Sequence, residues 1–316
     1  MTPPFADMPR RAPLRMHPQA LRETPDIQAG SPAPASNPWW RRAMFSTAVL
    51  GTSALLYGIY GWLSEGGISG LEWLLLGMIG ATFVWVMLSV CTIGVAVGAL
   101  MTRESDNDRT GRPSPRPLDV ALLLPVYNEV TSDVFGNAAA MLDDLAKCRA
   151  GHRFHLFVLS DTQDPAIAAA ETRAFSSLQM RTADCMRVFY RRRSHNKDKK
   201  VGNLLDWITG WGAAYDAMLV LDADSLMAGR TIERLANELS ADERAGLIQT
   251  FPLLIVASSV FALLQQFSNI AYGWLLAEWL ATWARREGNY WGHNAIIRTR
   301  AFAASAGLPY LKGRKG

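Results

Sequence analysis

The chain has 316 residues, of which 49% are hydrophobic, with a formal net charge of +4 and three cysteines. This length accommodates a membrane portion together with one α/β domain. The small net charge argues against a nucleic-acid partner, and the widely spaced Cys91, Cys148 and Cys185 argue against a disulfide framework or a zinc site.

Residues 1–38 contain nine of the 16 prolines and almost no apolar periodicity. Such a segment cannot bury enough apolar surface to offset the entropy lost on ordering. We therefore expect a disordered tail. The basic lead, apolar core and small-residue cleavage site of a secretory signal peptide do not occur here.

Two apolar stretches follow. Residues 43–63 contain 21 positions without a charge, and residues 73–101 contain 29. Since roughly 20 apolar residues cross a bilayer as a helix, the pattern predicts a transmembrane hairpin over residues 39–101. The alternative is a pair of buried core helices, which is disfavoured because no soluble segment of matching size is available to cover them.

The charges around the hairpin predict its orientation. The connection between the two helices carries Glu65 and Glu72 but no Lys or Arg. The outer ends are flanked by basic residues: Arg41, Arg42, Arg103 and Arg109. By the positive-inside rule, the tail and everything after residue 101 lie in the cytoplasm.

After a polar linker at residues 102–117, short apolar runs alternate with helical patterns. The alternation predicts a parallel sheet with helices on both faces, and strands that are apolar at every position suit such a sheet. Strands are expected at residues 118–126, 153–159, 187–190, 217–221 and 247–249. Helices are expected at residues 132–147, 165–180, 202–211 and 231–239.

Residues 256–286 form a long helical pattern rich in aromatic and aliphatic residues, with polar residues among them. The segment is too polar for a membrane span. Its tryptophans, Trp274, Trp279 and Trp283, favour a helix in the membrane interface. An ordinary amphipathic core helix is the alternative.

Two carboxylates, Asp222 and Asp224, follow the apolar run at residues 217–221. Oxygen ligands of this kind suit Mg²⁺ or Mn²⁺, and the carboxyl end of a strand in an α/β sheet is where ligands bind. A pair of aspartates can equally cap a helix or lie in a loop. The neighbouring motifs decide between these interpretations.

Six basic residues lie between positions 191 and 200, directly before Gly202 and Asn203 at the start of a predicted helix. A solvated charge run or a nucleic-acid patch is the usual interpretation of such a stretch. Here the lysines and the positive end of the helix dipole face the same place, which favours a diphosphate. The spacing of a P-loop is absent.

Five motifs occur in a characteristic order, and together they resemble the donor half of the processive membrane family 2 glycosyltransferases, which have a GT-A fold. They are Pro-Val-Tyr-Asn-Glu at 125–129, Ser-Asp-Thr at 160–162, Lys-Val-Gly-Asn at 200–203, Gln-Thr-Phe-Pro at 249–252 and Trp-Gly-His-Asn-Ala-Ile-Ile-Arg at 291–298. The last motif resembles the branch of the family that builds periplasmic glucans. The resemblance covers residues 39–316.

The resemblance implies an α/β fold: a Rossmann-like GT-A domain at residues 118–316, incomplete at its carboxyl terminus and preceded by the hairpin. It also implies inverting transfer from UDP-glucose to a growing β-glucan, with Mg²⁺ or Mn²⁺ as cofactor. The expected location is the bacterial inner membrane, where a periplasmic protein that processes the glucan would be a further partner.

Individual roles also follow from the resemblance. Tyr127 lies against the base, Glu129 near the ribose, and Asp161 accepts the imide N–H of uracil. The diphosphate residues are Lys200, Gly202 and Asn203. Asp224 binds the metal, whereas Asp222 meets the ribose or the metal and its water shell. The donor sugar or the acceptor end contacts Trp291, Gly292, His293 and Asn294; by residue type alone, His293 could equally be an interior histidine.

Inverting transfer also needs a general base for the acceptor hydroxyl. In the family this base is an aspartate after the Gly-His-Asn segment, so we expect it beyond Gly316. Glu278, Glu287 and Asp242 precede Gly292 and cannot replace it by position. A membrane-anchored nucleotide-sugar binding module is therefore the second hypothesis. A transporter fragment is disfavoured because the spans carry no intramembrane charge.

Overall fold

The computed structural model describes residues 6–18, 39–102, 116–148 and 151–307. These residues fall into two compact units. One contains residues 39–102 and 253–288, and the other contains the remainder. Most of the expected linker, residues 103–115, and the carboxyl-terminal residues 308–316 lie outside the described residues, as do residues 19–38 of the expected tail.

The larger unit is an α/β domain. Its strands are β1 (Ala6–Asp7), β2 (Asp119–Val126), β3 (Arg153–Ser160), β4 (Arg187–Arg192), β5 (Ala217–Val220), β6 (Leu247–Gln249) and β7 (Ala295–Arg298). Its helices are α3 (Thr131–Lys147), α4 (Pro165–Thr182), α5 (Lys199–Trp211), α6 (Gly229–Ala241) and α9 (Thr299–Ser305). The predicted strand at 247–249 has the same bounds in the structure, and the other predicted elements shift by a few residues at their ends.

The seven strands form one sheet in the order β1-β4-β3-β2-β5-β7-β6. The four strands β4, β3, β2 and β5 run parallel, whereas β1, β6 and β7 pair antiparallel with their neighbours. The predicted α/β class is confirmed, but the expectation of a wholly parallel sheet is wrong. β7 was not among the predicted strands, and it pairs antiparallel with both β5 and β6.

Each face of the sheet is covered, because successive side chains of the central strands point to opposite sides. On one face, Val120, Leu122 and Leu124 of β2 pack with buried side chains of α3, α4 and α6. On the other, Ala121 and Leu123 pack with buried side chains of α5 and with β7. Burial on both sides explains why β2 is apolar from Val120 to Val126.

Residues 6–18 differ from the expected disordered tail. Ala6 and Asp7 pair with the edge strand β4. Three apolar side chains of this segment pack against the second core: Met8, Leu14 and Met16. The prediction was wrong for these residues because it weighed their prolines and low periodicity and missed a few apolar side chains that cover a sheet edge.

The smaller unit contains α1 (Trp39–Leu63), α2 (Gly70–Thr102), α7 (Val260–Ser268) and α8 (Trp274–Ala284), the last two joined by a π-helical turn at Asn269–Gly273. Two helices, Trp39–Gly66 and Gly70–Thr102, are long and apolar enough to cross a membrane. α1 and α2 pack against each other, and α8 packs against α2.

An arginine joins α1 to the end of α8. The Arg41 guanidinium lies 4.5 Å from the ring centroid of Trp283 and donates a hydrogen bond to the Trp283 carbonyl oxygen. Trp40 meets the Trp283 ring edge-on at 5.6 Å. A guanidinium over an indole ring is a favourable cation–π contact, and here it also caps the last turn of α8.

The segment before α8 exposes its apolar side chains. No Asp, Glu, Lys or Arg occurs from residue 253 to residue 277, and Val256, Val260 and Phe261 are each more than two-thirds exposed. An exposed apolar surface of this extent typically marks a membrane or protein contact. The segment belongs to the same unit as α1 and α2. Its location in the membrane interface stays our prediction.

Candidate functional site

A cavity of about 660 Å³ opens at the carboxyl edge of the parallel strands. β2 lies in the middle of the order, with β3 on one side and β5 on the other, so the loops after β2 and β5 diverge and leave a crevice where α/β sheets bind ligands. The cavity is lined by Pro125, Val126, Tyr127, Glu129, Asp161, Asn196, Lys199, Lys200, Asp222, Ala223 and Asp224.

The structure thus brings six of the predicted side chains into one cavity: Tyr127, Glu129, Asp161, Lys200, Asp222 and Asp224. The predicted residues Gly202 and Asn203 and the predicted segment 291–294 do not line it. Asn203 is fully buried, where its amide nitrogen donates to the Leu159 carbonyl oxygen at 2.8 Å and its oxygen accepts from Arg191. Asn203 therefore anchors α5 to β3, and Gly202 lines a neighbouring cavity.

Asp161, at the end of β3, is held by Arg193. The Arg193 Nε and Nη2 atoms donate to the two carboxylate oxygens at 2.6 and 2.8 Å. The two side chains are only 10% and 4% exposed. Nη2 also donates to the carbonyl oxygens of Lys197 and Lys199. The pair therefore fixes the orientation of the Asp161 carboxylate and ties the basic loop to β3.

A buried glutamate supports the same strand end, although no local sequence signal indicates it. Glu171 of α4 is 1% exposed and accepts hydrogen bonds from the hydroxyls of Ser160, Thr162 and Tyr190 at 2.6–2.8 Å. Two causes raise the pKa of the Tyr190 hydroxyl: its burial, which is the larger, and the negative charge of Glu171. The hydroxyl therefore stays protonated and remains a donor. These bonds hold the residues on both sides of Asp161.

Asn128 joins the loops after β2 and β3. It has a left-handed backbone (φ 52°), which asparagine tolerates better than most residues. Its N–H donates to Thr162 Oγ1 at 3.0 Å, and its side-chain oxygen accepts from the N–H of Gln163 at 3.1 Å. Asp164 caps α4 by accepting from two backbone amides. The neighbouring Tyr127 remains half exposed in the cavity.

The loop between β4 and α5 turns sharply before the helix. Asp198 and Lys199 both have left-handed backbones, with φ of 56° and 50°. A Cβ atom added to Gly202 would lie 2.2 Å from the Lys197 carbonyl oxygen. Only glycine permits the backbone of α5 to approach this turn so closely. The turn delivers Lys199 and Lys200 to the cavity.

Lys200 reaches across the cavity to two motifs. Its ammonium group forms an ion pair with Asp222 and donates to the Gly292 carbonyl oxygen at 3.0 Å. Gly292 has a φ of 99°, a value that favours glycine, in the turn that leads to β7. Because β7 runs antiparallel to β5, this turn reaches the same sheet edge as Asp222.

The predicted segment 291–294 is attached to the Asp222 loop. Ser225 Oγ donates to Asn294 Oδ1 at 3.0 Å and accepts from the N–H of Asp222 at 2.9 Å. His293 Nδ1 lies 3.9 Å from an Asp222 oxygen. Trp291 is 39% exposed and meets Phe251 edge-on. Asn294 therefore positions the segment, and the His293 side chain remains 31% exposed.

Tyr290 is a further residue that sequence reasoning missed. Two causes raise the pKa of its hydroxyl: burial, which is the larger, and the negative charge of Asp222. The phenol therefore stays protonated and can donate a hydrogen bond. Tyr290 directly precedes the motif at residues 291–298, so its position in the sequence could have suggested it.

The donor set fits a hard divalent cation. Asp224 is exposed at the cavity and Asp222 lies two residues before it. Within the described residues, no group of three or more His, Cys, Asp and Glu side chains could hold a metal. Two carboxylates suffice where phosphate oxygens and water complete the coordination, as Mg²⁺ sites commonly arrange.

Arg193→Ala should destabilise the α/β domain strongly. Asp161 would stay buried without its charge partner, and breaking one side of a buried pair costs about 3–5 kcal/mol. Thermal unfolding of the detergent-solubilised protein would show a lower midpoint. Arg181→Ala is the matched control, because it breaks the exposed pair with Asp143. Equal midpoints for the two variants would contradict the role of Arg193.

Several known proteins resemble this chain in sequence. The family model described as Glycosyl transferase family 21 matches residues 152–310. The glucans biosynthesis glucosyltransferase H of Rhodopseudomonas palustris is 41% identical over 98% of this chain and 43% of its own length. The enzyme of the same name from Shewanella oneidensis is 40% identical over 97% of this chain and 42% of its own length. The chain thus spans about two-fifths of these relatives.

Two solved structures resemble the chain more distantly. A mannosyltransferase from Pyrobaculum calidifontis, in complex with GDP-mannose and Mn²⁺, has 14% identity and a TM-score of 0.36 over 65% of this chain and 46% of its own. The apo structure of the bifunctional glycosyltransferase WbbM has 13% identity and a TM-score of 0.32, over 82% of this chain and 50% of its own.

Proposed function

The chain belongs to glycosyl transferase family 21, and we propose that it binds UDP-glucose and serves the transfer of glucose to a growing β-glucan, with inversion and with the help of Mg²⁺ or Mn²⁺. The glucan is the linear backbone of the osmoregulated periplasmic glucans. The names of the relatives at 40–41% identity support this class of product.

One observation carries the proposal. Residues from four separate motifs, at positions 127–129, 161, 200 and 222–224, line the same cavity at the carboxyl edge of the sheet. They include an aromatic ring that can stack on a nucleobase and carboxylates that can accept hydrogen bonds from the nucleobase and the ribose. They also include an ammonium group that can bind phosphate. These are the groups that a nucleoside diphosphate sugar requires, and the Lys199 side chain adds a second positive charge.

Each side chain then has a chemical task. Asp161, fixed by Arg193, accepts the imide N–H of uracil, and Tyr127 lies against the base. Lys200 binds the diphosphate, and Asp222 and Asp224 would hold the metal. When bound, a divalent cation would neutralise the negative charge that develops on the departing UDP. Trp291 and His293 contact the sugar or the acceptor end.

Donor selectivity tests the proposal. Calorimetry with the detergent-solubilised protein and Mn²⁺ should show binding of UDP and UDP-glucose, and much weaker binding of ADP. A uracil ring presents one imide donor between two carbonyl oxygens, from which the buried Asp161 can accept, whereas adenine has no donor at that ring position. Equal affinity for UDP and ADP would overturn the assignment of the base site.

A membrane-anchored nucleotide-sugar binding module is the second candidate. The four carboxylates that line the cavity, Glu129, Asp161, Asp222 and Asp224, all have donor or metal roles in our proposal. Among the described residues of the cavity, none is left to deprotonate an acceptor. Membrane vesicles with radiolabelled UDP-glucose separate the candidates: polymer indicates transfer, and UDP-glucose binding without polymer indicates the module.

We also propose that the chain resides in the bacterial inner membrane, with residues 1–38 and 102–316 in the cytoplasm and residues 64–72 in the periplasm. The basic residues flanking α1 and α2 and the acidic connection between them support this. In a variant without native cysteines, Cys introduced at Ser69 should react in intact cells with an impermeant reagent, whereas Cys at Ser132 should not. The reverse pattern would contradict the orientation.

A further inference from the structure

The contacts of Lys200 are unusual for a residue that binds phosphate. Its ammonium group lies against a carboxylate oxygen of Asp222 and 3.0 Å from the Gly292 carbonyl oxygen. Two oxygens from two loops therefore converge on one positive charge. A hard metal ion also binds carboxylate and carbonyl oxygens, so it would compete with Lys200 for the oxygens of Asp222.

The two aspartates differ in this respect. Asp222 is paired with Lys200, and His293 approaches its other oxygen. Asp224 is exposed and forms no ion pair or side-chain hydrogen bond within the part of the chain that the structure describes. A divalent cation that approached the pair would meet one compensated carboxylate and an adjacent ammonium group that repels it.

The Lys200–Asp222 pair can separate. Each side chain is 36% exposed, and a lysine places its charge at the end of a flexible four-carbon chain. Lys200 also lies in the first turn of α5, on the wall of the cavity that would hold a diphosphate. Its ammonium group can therefore exchange one anionic partner for another without a change in the backbone.

We propose that Lys200 couples metal binding to nucleotide binding by exchanging partners. Without nucleotide, its ammonium group neutralises Asp222 and weakens metal binding. With a nucleoside diphosphate bound, Lys200 moves to the phosphates and Asp222 becomes available to the metal. This inference rests on the proposed function. By linkage, the nucleotide and the metal then strengthen each other's binding by the same factor.

Mn²⁺ titration followed by electron paramagnetic resonance tests the exchange in the full chain. Without nucleotide, Lys200→Met should bind Mn²⁺ about fivefold or more tightly than wild type, within the usual range of coupling between sites. UDP should increase the Mn²⁺ affinity of wild type but not that of Lys200→Met. Lys200→Arg keeps the charge and should retain the weak nucleotide-free affinity of wild type.

Lys197→Met is the matched control. It removes one lysine from the same loop, but Lys197 lines a different cavity. A nucleotide-free Mn²⁺ affinity of Lys200→Met no higher than that of Lys197→Met would overturn the proposal. If wild type does not bind UDP at all, the proposed donor is wrong. The nucleotide-free comparison still tests the present proposal in that case, because it measures the effect of Lys200 on metal binding alone.

Discussion

Asp224→Ala should abolish the metal dependence of UDP binding. Asp224 is the exposed carboxylate of the pair, and its side chain has no competing partner within the described residues. Without Asp224, Asp222 would be the one carboxylate of the pair left to hold the metal beside the diphosphate. Changes to residues that merely support a metal ligand already cost about 10–100-fold in affinity, so loss of a direct ligand should cost at least that much.

Calorimetry of UDP binding in Mg²⁺, in Mn²⁺ and in EDTA measures the effect. We expect wild type to bind UDP more tightly with either metal than in EDTA, and Asp224→Ala to bind it equally weakly in all three. Asp184→Ala is the control, because Asp184 is an exposed aspartate that lines another cavity, between α4 and β4. Equal UDP affinity of wild type in all three solutions would exclude the metal site.

The sequence predicted the parts of the fold that follow from local chemistry. β2 and β5 are apolar at nearly every position, and polar residues follow each of them within three residues. In a parallel sheet such ends meet at one edge, so Glu129, Asp161 and Asp222 could be placed together before their distances were known. The lengths and charge-free composition of α1 and α2 likewise reflect a requirement that any spanning helix must meet.

Contacts between distant residues could not be predicted in this way. Glu171 is one of many polar residues on α4, and only the fold shows that three hydroxyls surround it. Arg193 belongs to the basic run at residues 191–200, for which the sequence predicts diphosphate binding, yet its side chain pairs with Asp161. Asn203 matched the motif of the family but is buried. Motif matching identifies the residue without distinguishing ligand contact from support.

The same distinction applies to β1 and β7, which lie outside the four parallel strands. The direction of β7 depends on the chain that precedes it, and its own four residues, all buried or nearly so, suit either direction. Residues 6–18 are held by backbone pairing to β4 and by a few apolar contacts. Both elements are decided by which edge of the sheet is left uncovered, and that property arises only after the central strands have paired.

Gly202→Ala should remove most of the affinity for the diphosphate while leaving the base site intact. The added Cβ atom would lie 2.2 Å from the Lys197 carbonyl oxygen, and no side-chain rotation relieves a contact with the backbone. The turn at Asp198 and Lys199 must then move, and Lys200 moves with it. Loss of one charged hydrogen bond costs about 1.5–3 kcal/mol, which corresponds to a loss of UDP affinity of roughly 10–100-fold.

Gly210→Ala is the matched control in the same helix. Nothing lies within 4 Å of the Cβ position at Gly210, so alanine should stabilise α5 by about 0.5–1 kcal/mol and leave UDP binding unchanged. Comparing UDP with uridine then locates the effect of Gly202→Ala. We expect UDP affinity to fall more than uridine affinity, because Arg193 also donates its backbone N–H to the Ser160 carbonyl oxygen of β3 at 3.0 Å, and only its side-chain bonds to Lys197 and Lys199 depend on the turn. An equal loss of both ligands would mean that the turn also shapes the base site, and wild-type UDP affinity would mean that Lys200 does not depend on the turn.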